Sequence, residues 1–249
     1  RDTHNVILTP DGEKFCKCGR KVIEAIDDLM ASFGQNTADD KAILHIGVYT
    51  FYKATGLAKR ITRFIMDNAN TICNVKIVDN YAAYDMLKNG ELTFAIIKSR
   101  PKYIKRREFE HIELVRDDIL TVLTSADSEY ASMDHINLSE LGTLQLTTGH
   151  KNSHIYNEMH ELYNENNLEM NIAFSTMEDS DMMVDLISQG FTSTLATRSV
   201  ADALVNDGIV SIPVEPPQEI RTYLVYNKSR KLTGPEKAFA EHIKILYNA

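Results

Sequence analysis

The segment AILHIGV, residues 42–48, decides the fold that this sequence predicts. Its apolar side chains alternate along the segment, which is typical of a buried β-strand. The apolar residues that follow, at positions 54, 57, 58, 61, 64 and 65, repeat with the period of one helix face. A strand followed by a helix is the unit of a parallel sheet with helices on its faces, so we expect an α/β fold.

The same unit recurs along the chain. A strand NVKIV (74–78) and a helix YAAYDMLKNG (81–90), closed by Gly90, lead to a strand LTFAII (92–97). The strand DDILTVLTS (117–125) leads out of this first set. A second set follows, with strands predicted in LGTLQLTTG (141–149), MNIAFS (170–175), TSTLA (192–196) and GIVSIP (208–213).

The chain then returns to its first set. The Pro-rich PVEPPQ (213–218) marks a crossing, and IRTYLVY (220–226) is the last predicted strand. Capping boxes, which start helices, are predicted by the spacing of Ser175 with Glu178 and of Thr233 with Glu236. We therefore expect two α/β lobes of similar size that the chain crosses between twice.

The composition restricts the class of protein. The chain has 249 residues, 43% of them hydrophobic, and a formal net charge of −8. An acidic chain lacks the basic face that is typical of nucleic-acid-binding modules. Three cysteines make no disulfide framework and favour a reducing cytoplasm. Because no window holds the roughly 18 apolar residues of a membrane helix, we predict a soluble chain without a membrane partner.

A narrow apolar stripe precedes the first strand. Thr9 as N-cap and Pro10 at the first helical position predict a helix, whose apolar residues lie at 15, 22, 26, 29 and 33. Such a stripe packs either on a partner helix or on the core of its own domain, and the pattern favours neither. The segment GQNTADDK (34–41) then predicts a linker.

Five segments, in this order and spacing, resemble the LysR-type transcriptional regulators over the whole chain. They are LTPDGEKF (8–15), LHIGV (44–48), DMLKNGELTFAI (85–96), DDILTVL (117–123) and DLISQGFTSTLA (185–196). The chain departs from the family pattern at Thr93, Thr192 and Thr197. The second lobe has no cysteine between residues 126 and 212, which disfavours the peroxide-sensing branch of the family.

The resemblance implies a domain arrangement. Residues 1–9 would end the wing of a winged helix-turn-helix, and residues 10–40 would form a linker and dimerisation helix. Lobe I would comprise residues 41–123 and 213–249, and lobe II residues 124–212. The two Rossmann-like lobes would have the type 2 periplasmic-binding-protein fold.

The resemblance also implies a function. The chain would be the effector-sensing and dimerising part of a cytoplasmic regulator that forms a dimer or tetramer. A small metabolite, expected to be an anion because helix amino ends converge between the lobes, would control DNA binding by an N-terminal domain that these residues lack. The alternative is a solute-binding protein of a transport system. An enzyme is the weakest interpretation, because no catalytic or cofactor motif is present, and we predict no cofactor.

Matching positions of this chain to the cleft of the family indicates an effector site. The predicted contacts are Tyr49, Thr50 and Lys98 from lobe I and Thr148, His150, Ser153 and Thr192 from lobe II. For a Ser or Thr before a helix, an N-cap is the common alternative role.

Two other side-chain groups carry weaker signals. His150, His154 and Glu158 lie four residues apart and suit one helical face, but a helix that begins after His150 would separate them, so we predict no metal site. The basic run KSRPKYIKRREFE (98–110) favours a solvated loop over contact with DNA or an anion, since it carries no aromatic ladder.

Overall fold

The fold is taken from a computed structural model of the chain. It describes residues 9–12, 14–15, 18–19, 22, 41–104, 106–151, 153–176 and 180–248; for residue 117, residue 180 and residues 245–248 it describes the backbone alone. The chain separates into two units, Arg1–Lys41 and Ala42–Ala249.

The described residues of the first unit include the predicted helix start. Residues 10–12, 14–15, 18–19 and 22 are helical. Thr9 acts as predicted, because its Oγ1 accepts a hydrogen bond from the Gly12 amide at 3.1 Å. The expected wing strand (1–8) and most of the apolar stripe, including positions 26, 29 and 33, lie outside the described residues, so the expected linker helix of residues 10–40 stays a prediction.

The second unit combines strands and helices, as the α/β prediction requires, and the two alternate from β1 to β3 and from β6 to β9. The strands are β1 (Ala42–Val48), β2 (Thr71–Ile77), β3 (Phe94–Ser99), β4 (Phe109–Ser125), β5 (Ile136–Asn137), β6 (Gln145–Thr148), β7 (Asn171–Ser175), β8 (Thr194–Thr197), β9 (Ile209–Glu215) and β10 (Glu219–Asn227). The helices are α1 (Leu57–Asp67), α2 (Asn80–Asn89), α3 (His154–Glu165), α4 (Ser180–Ser188), α5 (Arg198–Leu204) and α6 (Gly234–Asn248).

The long strand β4 connects two groups of strands. Its first half pairs with β10, next to β3, β1 and β2, and we call these strands the first strand group. Its second half pairs with β8 and β9, and β9 pairs with β5. These, together with the two-stranded sheet of β6 and β7, form the second strand group.

Strand directions follow the order in which the chain makes its connections. β1 is parallel to β2 and β3, as the strand–helix alternation predicts. β10 is antiparallel to both β3 and β4, because it returns from β9 in the second group rather than through a helical crossover. The sheet is therefore mixed, with antiparallel strands at its centre and parallel pairs at both ends, β1 with β2 and β5 with β9.

Each group has its own buried core. In the first group, one cluster packs α1 and α6 on β1 and β3 through residues such as Phe64, Phe94 and Phe239. In the second, the largest cluster packs α3 on β4 and β8 through residues such as Leu146, Leu162 and Tyr163. The division into two lobes and its boundaries stay a prediction.

Candidate functional site

A cavity of about 200 Å³ lies where the two strand groups meet. Its lining includes the residues that directly follow β1, β2, β6 and β7, the end of β3 and the strand β8. Ligands of α/β proteins bind beyond the carboxyl ends of strands, because the loops there place side chains and helix amino ends together. This cavity is therefore the candidate binding site among the described residues.

Apolar side chains form most of the wall on the side of the second strand group. They come from β4, α3, β8 and α5, and include Leu120, Leu123, Met159, Leu162, Leu195 and Val200. The same residues belong to, or adjoin, the buried cores of that group. The wall is thus a continuation of the protein interior and offers few polar partners to a ligand.

Four of the seven predicted effector residues line the cavity. Tyr49 and Thr50 follow β1, Lys98 is in β3, and Thr148 ends β6. The Tyr49 hydroxyl hydrogen-bonds Thr55 Oγ1 at 2.5 Å. Thr148 Oγ1 donates to the thioether sulphur of Met159 at 3.4 Å, and sulphur is a weak acceptor.

The other three predicted residues are not among those that line it. Ser153 has the alternative role of a helix cap, since its Oγ accepts from the Tyr156 amide at 3.2 Å. Thr192 is buried and its hydroxyl hydrogen-bonds that of Thr147 at 2.8 Å. His150 is exposed before α3 begins. Whether any of the seven contacts an effector stays a prediction.

Lys98, at the edge of the cavity, is held by an acidic partner behind the wall. Its Nζ donates to Asp118 Oδ2 at 2.5 Å and to Ser199 Oγ at 2.8 Å. Asp118 also accepts from the Ser199 amide at 3.0 Å and from the Ser199 hydroxyl at 2.5 Å. The Lys98 and Asp118 side chains are 11% and 2% exposed. We call these three residues the Lys98 cluster.

The pKa values of the Lys98 cluster reflect burial opposed by pairing. Burial lowers the pKa of Lys98, and the Asp118 carboxylate partly opposes that shift. Burial alone would raise the pKa of Asp118, but the Lys98 ammonium and the hydrogen bonds from Ser199 outweigh it and hold this pKa below its usual value. The close contact between the ammonium and the carboxylate makes them a charge-compensating ion pair.

A second carboxylate, Asp79, joins the amino ends of two helices. Its Oδ1 accepts from the Tyr81 amide of α2 at 2.9 Å, and its Oδ2 accepts from the His154 amide of α3 at 2.8 Å. Amino ends of helices attract anions because their amides are free and the helix dipole is positive there. The chain itself supplies the anion at this place, and in doing so links the two strand groups.

Glu158 on α3 makes a third link between the groups. It accepts hydrogen bonds from the Ser99 hydroxyl and, at 3.3 Å, from the Arg100 amide. His154 Nε2 lies 2.9 Å from Glu158 Oε1, but within the described part of the chain no partner of this nitrogen has hydrogen-bond geometry. Arg100 in turn pairs with Glu165 at 3.3 Å.

The two histidines of the weak metal signal, His150 and His154, do not lie on one helical face. Helix α3 begins at His154, with Ser153 as its N-cap, so His150 does not share the helical face of His154 and Glu158. Among the residues that the structure describes, no group of three or more His, Cys, Asp or Glu side chains is placed to hold a metal ion.

Phe51 has an unusual backbone at the cavity wall. Its φ of 66° lies in the left-handed region, which is rare for a bulky residue. Its side chain, which follows β1 of the first group, packs against Leu123, Met183 and other core residues of the second group. Strained backbone of this kind concentrates at ligand sites, so Phe51 is a further sign that the cavity is functional.

Sequence reasoning did not include the acidic partners in the site. Asp79 had a local signal, because an Asp directly before a helix is a preferred N-cap. Asp118 and Ser199 had none, since they are 81 positions apart and only the pairing of β4 with β8 brings them together.

The comparisons with known proteins agree on one family. Residues 38–246 match the family described as LysR substrate binding domain. No protein with a curated description matches the chain in sequence. Within the described residues, no helix is both long and apolar enough to cross a membrane.

Solved structures share the fold. The chain is similar to a full-length OxyR variant from Pseudomonas aeruginosa, at 16% identity over 98% of this chain and 81% of that one, with a TM-score of 0.73. It is similar to the regulatory domain of CcmR from Synechocystis PCC6803 in complex with 2-PG, at 12% identity over 83% and 98%, with a TM-score of 0.73. Full-length CbnR in complex with its target DNA matches at 16% identity over 98% and 85%, with a TM-score of 0.67. The predicted fold class is confirmed: an α/β fold similar to type 2 periplasmic binding proteins.

Proposed function

We propose that the effector of this chain occupies the cavity between the two strand groups. The premise is that the chain belongs to the LysR substrate binding domain family and is an effector-sensing regulatory domain. The predicted family is thereby confirmed, and the alternative of a transport protein is not favoured. The cavity itself carries the proposal, because residues of both groups line it.

A ligand at this place would act on the links between the groups. The bonds from Asp79 to His154, from Lys98 to Ser199 and from Ser99 to Glu158 all lie beside the cavity and join one group to the other. A molecule that binds better in one arrangement of the groups shifts the population toward it. A coupling of about 1–3 kcal/mol is the usual scale of such control.

A melting-temperature screen followed by a cavity-filling variant tests this site. A ligand that binds only the folded form raises the melting temperature by mass action. We would screen small carboxylates, amino acids, amides and aromatic compounds, and repeat each hit with Ala196→Leu, which adds volume to the cavity wall. Loss of the shift in Ala196→Leu is expected.

The matched control is Ala173→Leu. It makes the same substitution at an exposed position of β7 outside the cavity lining, so it should retain the shift. An unchanged shift in Ala196→Leu would contradict the proposed site.

The DNA partner, the cytoplasmic location and the absence of catalysis belong to the same proposal. Members of this family are regulators, and CbnR is a relative in complex with DNA. The free thiols of Cys18 and Cys73 are compatible with a reducing cytoplasm. We propose that residues 10–40 connect this domain to a DNA-reading domain, and that no substrate is turned over.

We also propose that a second copy of the chain covers α1 and β2. The strand β2 is at the edge of its sheet, where unpaired backbone groups and apolar side chains favour association. These two elements carry five exposed apolar side chains: Ile65, Met66, Ile72, Val75 and Ile77.

Sedimentation tests this interface. The double variant Met66→Asp with Val75→Lys should lower the oligomeric state at micromolar concentration. Phe191→Asp, which changes an exposed apolar residue outside α1 and β2, is the control and should leave it unchanged. Equal sedimentation of the wild type and the double variant would contradict the interface.

A further inference from the structure

We propose that the cavity selects an uncharged effector, about the size of one substituted ring, and that Asp118 excludes carboxylates by neutralising Lys98. This inference rests on the proposed function, because it assigns a ligand class to the same cavity. It differs from the small anion that the sequence favours.

The charged groups of the lining are already used by the chain. Lys98 is paired with Asp118, and Arg100 with Glu165. Of the two acidic residues, Asp79 accepts from two helix amides, as described above, and Glu158 accepts from Ser99 and the Arg100 amide. Among the residues that the structure describes, two basic and two acidic ones line the cavity, so their formal charges sum to zero when His154 is neutral.

The helix amino ends are used as well. Helix α3 has Ser153 and Asp79 as acceptors for its first amides. The Ser199 amide, at the start of α5, donates to Asp118. Among the described residues, the Lys98 ammonium and these helix-end amides are already bonded, so a carboxylate ligand would not gain them and would lose its hydration against an apolar wall.

The remaining surface suits a molecule that is mainly apolar. Leu120, Leu195 and Val200 offer contacts without hydrogen bonds. The hydroxyl of Thr148 has only the weak thioether acceptor, so it can bond one polar atom of a ligand. An engineered apolar cavity of about 150 Å³ binds benzene. The cavity here, at about 200 Å³, has room for a ring with a short substituent.

Matched probes separate charge from shape. Benzamide and benzoate have the same heavy-atom outline, and so have butanamide and butanoate, but one member of each pair is an anion. In calorimetric titrations of the wild-type protein, at least one amide should bind ten-fold or more tightly than its carboxylate. Equal or tighter binding of both carboxylates overturns the inference, and so does failure of both amides to bind at millimolar concentration.

The Asp118→Asn variant tests the role given to Asp118. It leaves the Lys98 ammonium without its counter-charge, so the ratio of carboxylate to amide affinity should rise ten-fold or more. Glu161→Gln, which changes an exposed carboxylate of α3 outside the cavity lining, is the matched control and should leave the ratio unchanged. An unchanged ratio in folded Asp118→Asn overturns the role of Asp118.

If Asp118→Asn is too unstable for a binding titration, a second variant tests the role of Asp118. Replacing the pair by apolar residues, Lys98→Met with Asp118→Leu, removes both charges and should keep the preference for the amide. If this double variant instead prefers the carboxylate, the inference is wrong. The proposed function fails separately, when Ala196→Leu retains the binding of whichever probe the wild type binds.

Discussion

Two lysine–carboxylate pairs of the molecule differ in their surroundings. Lys98 and Asp118 are 11% and 2% exposed, whereas Lys102 and Glu165 are 38% and 41% exposed. Water screens the second pair, so its charges cost little to separate. In the buried pair each charge depends on the other, because neither can be hydrated where it lies. The buried pair of Lys98 and Asp118 therefore affects the charge of the cavity. The exposed pair of Lys102 and Glu165 contributes little to stability.

The largest expected effect follows from breaking the buried pair. Asp118→Ala should lower the free energy of unfolding by about 3–5 kcal/mol, since it leaves the Lys98 ammonium buried and unpaired. Urea denaturation measures this loss. The double variant Lys98→Met with Asp118→Leu should recover most of it, and a loss below about 1 kcal/mol in Asp118→Ala would mean that water reaches Lys98.

The pH dependence of the same pair gives a second, smaller effect. In the unfolded chain Asp118 titrates near the ordinary value of 3.8, and in the folded protein its pKa is lower. Its contribution to stability is therefore complete above that value and is lost as the pH falls through the lowered pKa. The difference in unfolding free energy between wild type and Asp118→Asn should shrink below pH 3.8. A constant difference down to acid denaturation would contradict the pairing.

A variant of Glu158 should cause a loss of stability between those of the buried and the exposed pair. Its carboxylate accepts hydrogen bonds from Ser99 and the Arg100 amide, so Glu158→Ala should cost about 1–3 kcal/mol of unfolding free energy through the donors it leaves unsatisfied. Thermal or urea unfolding measures the loss. Glu161→Ala on the same helix removes an exposed carboxylate that lies 3.6 Å from Lys102 and is the control; equal losses would show that the bonds of Glu158 add nothing.

The smallest effect belongs to the exposed pair. Lys102→Gln, which leaves Glu165 paired with Arg100, should change the unfolding free energy by less than about 1 kcal/mol, and the change should vanish at high salt, where charges are screened within about 3 Å at 1 M. Parallel unfolding curves at low and high salt measure it. A loss that persists in 1 M salt would place this pair with the buried one.

Local pattern predicted the elements wherever burial and caps act within a few residues. The strand at 42–48 has the predicted bounds, and Gly90 ends α2 with a φ of 78°. Glu236 Oε2 accepts from the Thr233 amide at 2.7 Å, as the capping box predicts. The reciprocal box of Ser175 with Glu178 involves undescribed residues.

Several boundaries differ from the predicted ones, and the start of α1 differs for a reason that the apolar period does not indicate. The helical period begins at residue 54, but α1 begins at Leu57, because residues 51–56 form turns that end at Gly56 with a φ of 76°. A left-handed glycine stops the helix from extending toward β1. Residues 54–56 therefore lie outside α1. One of them is Thr55, whose Oγ1 hydrogen-bonds the hydroxyl of Tyr49 beside the cavity.

The sequence by itself determined the α/β alternation, the family and the loops that surround the cavity, because periodicity, caps and motif order are local properties. Only the tertiary structure decided the charge of that cavity. Lys98, Asp118 and Ser199 come from β3, β4 and α5, and no spacing along the chain indicates that they meet. Pairing of buried charges depends on which strands are neighbours, and that is fixed by the packing of the whole sheet.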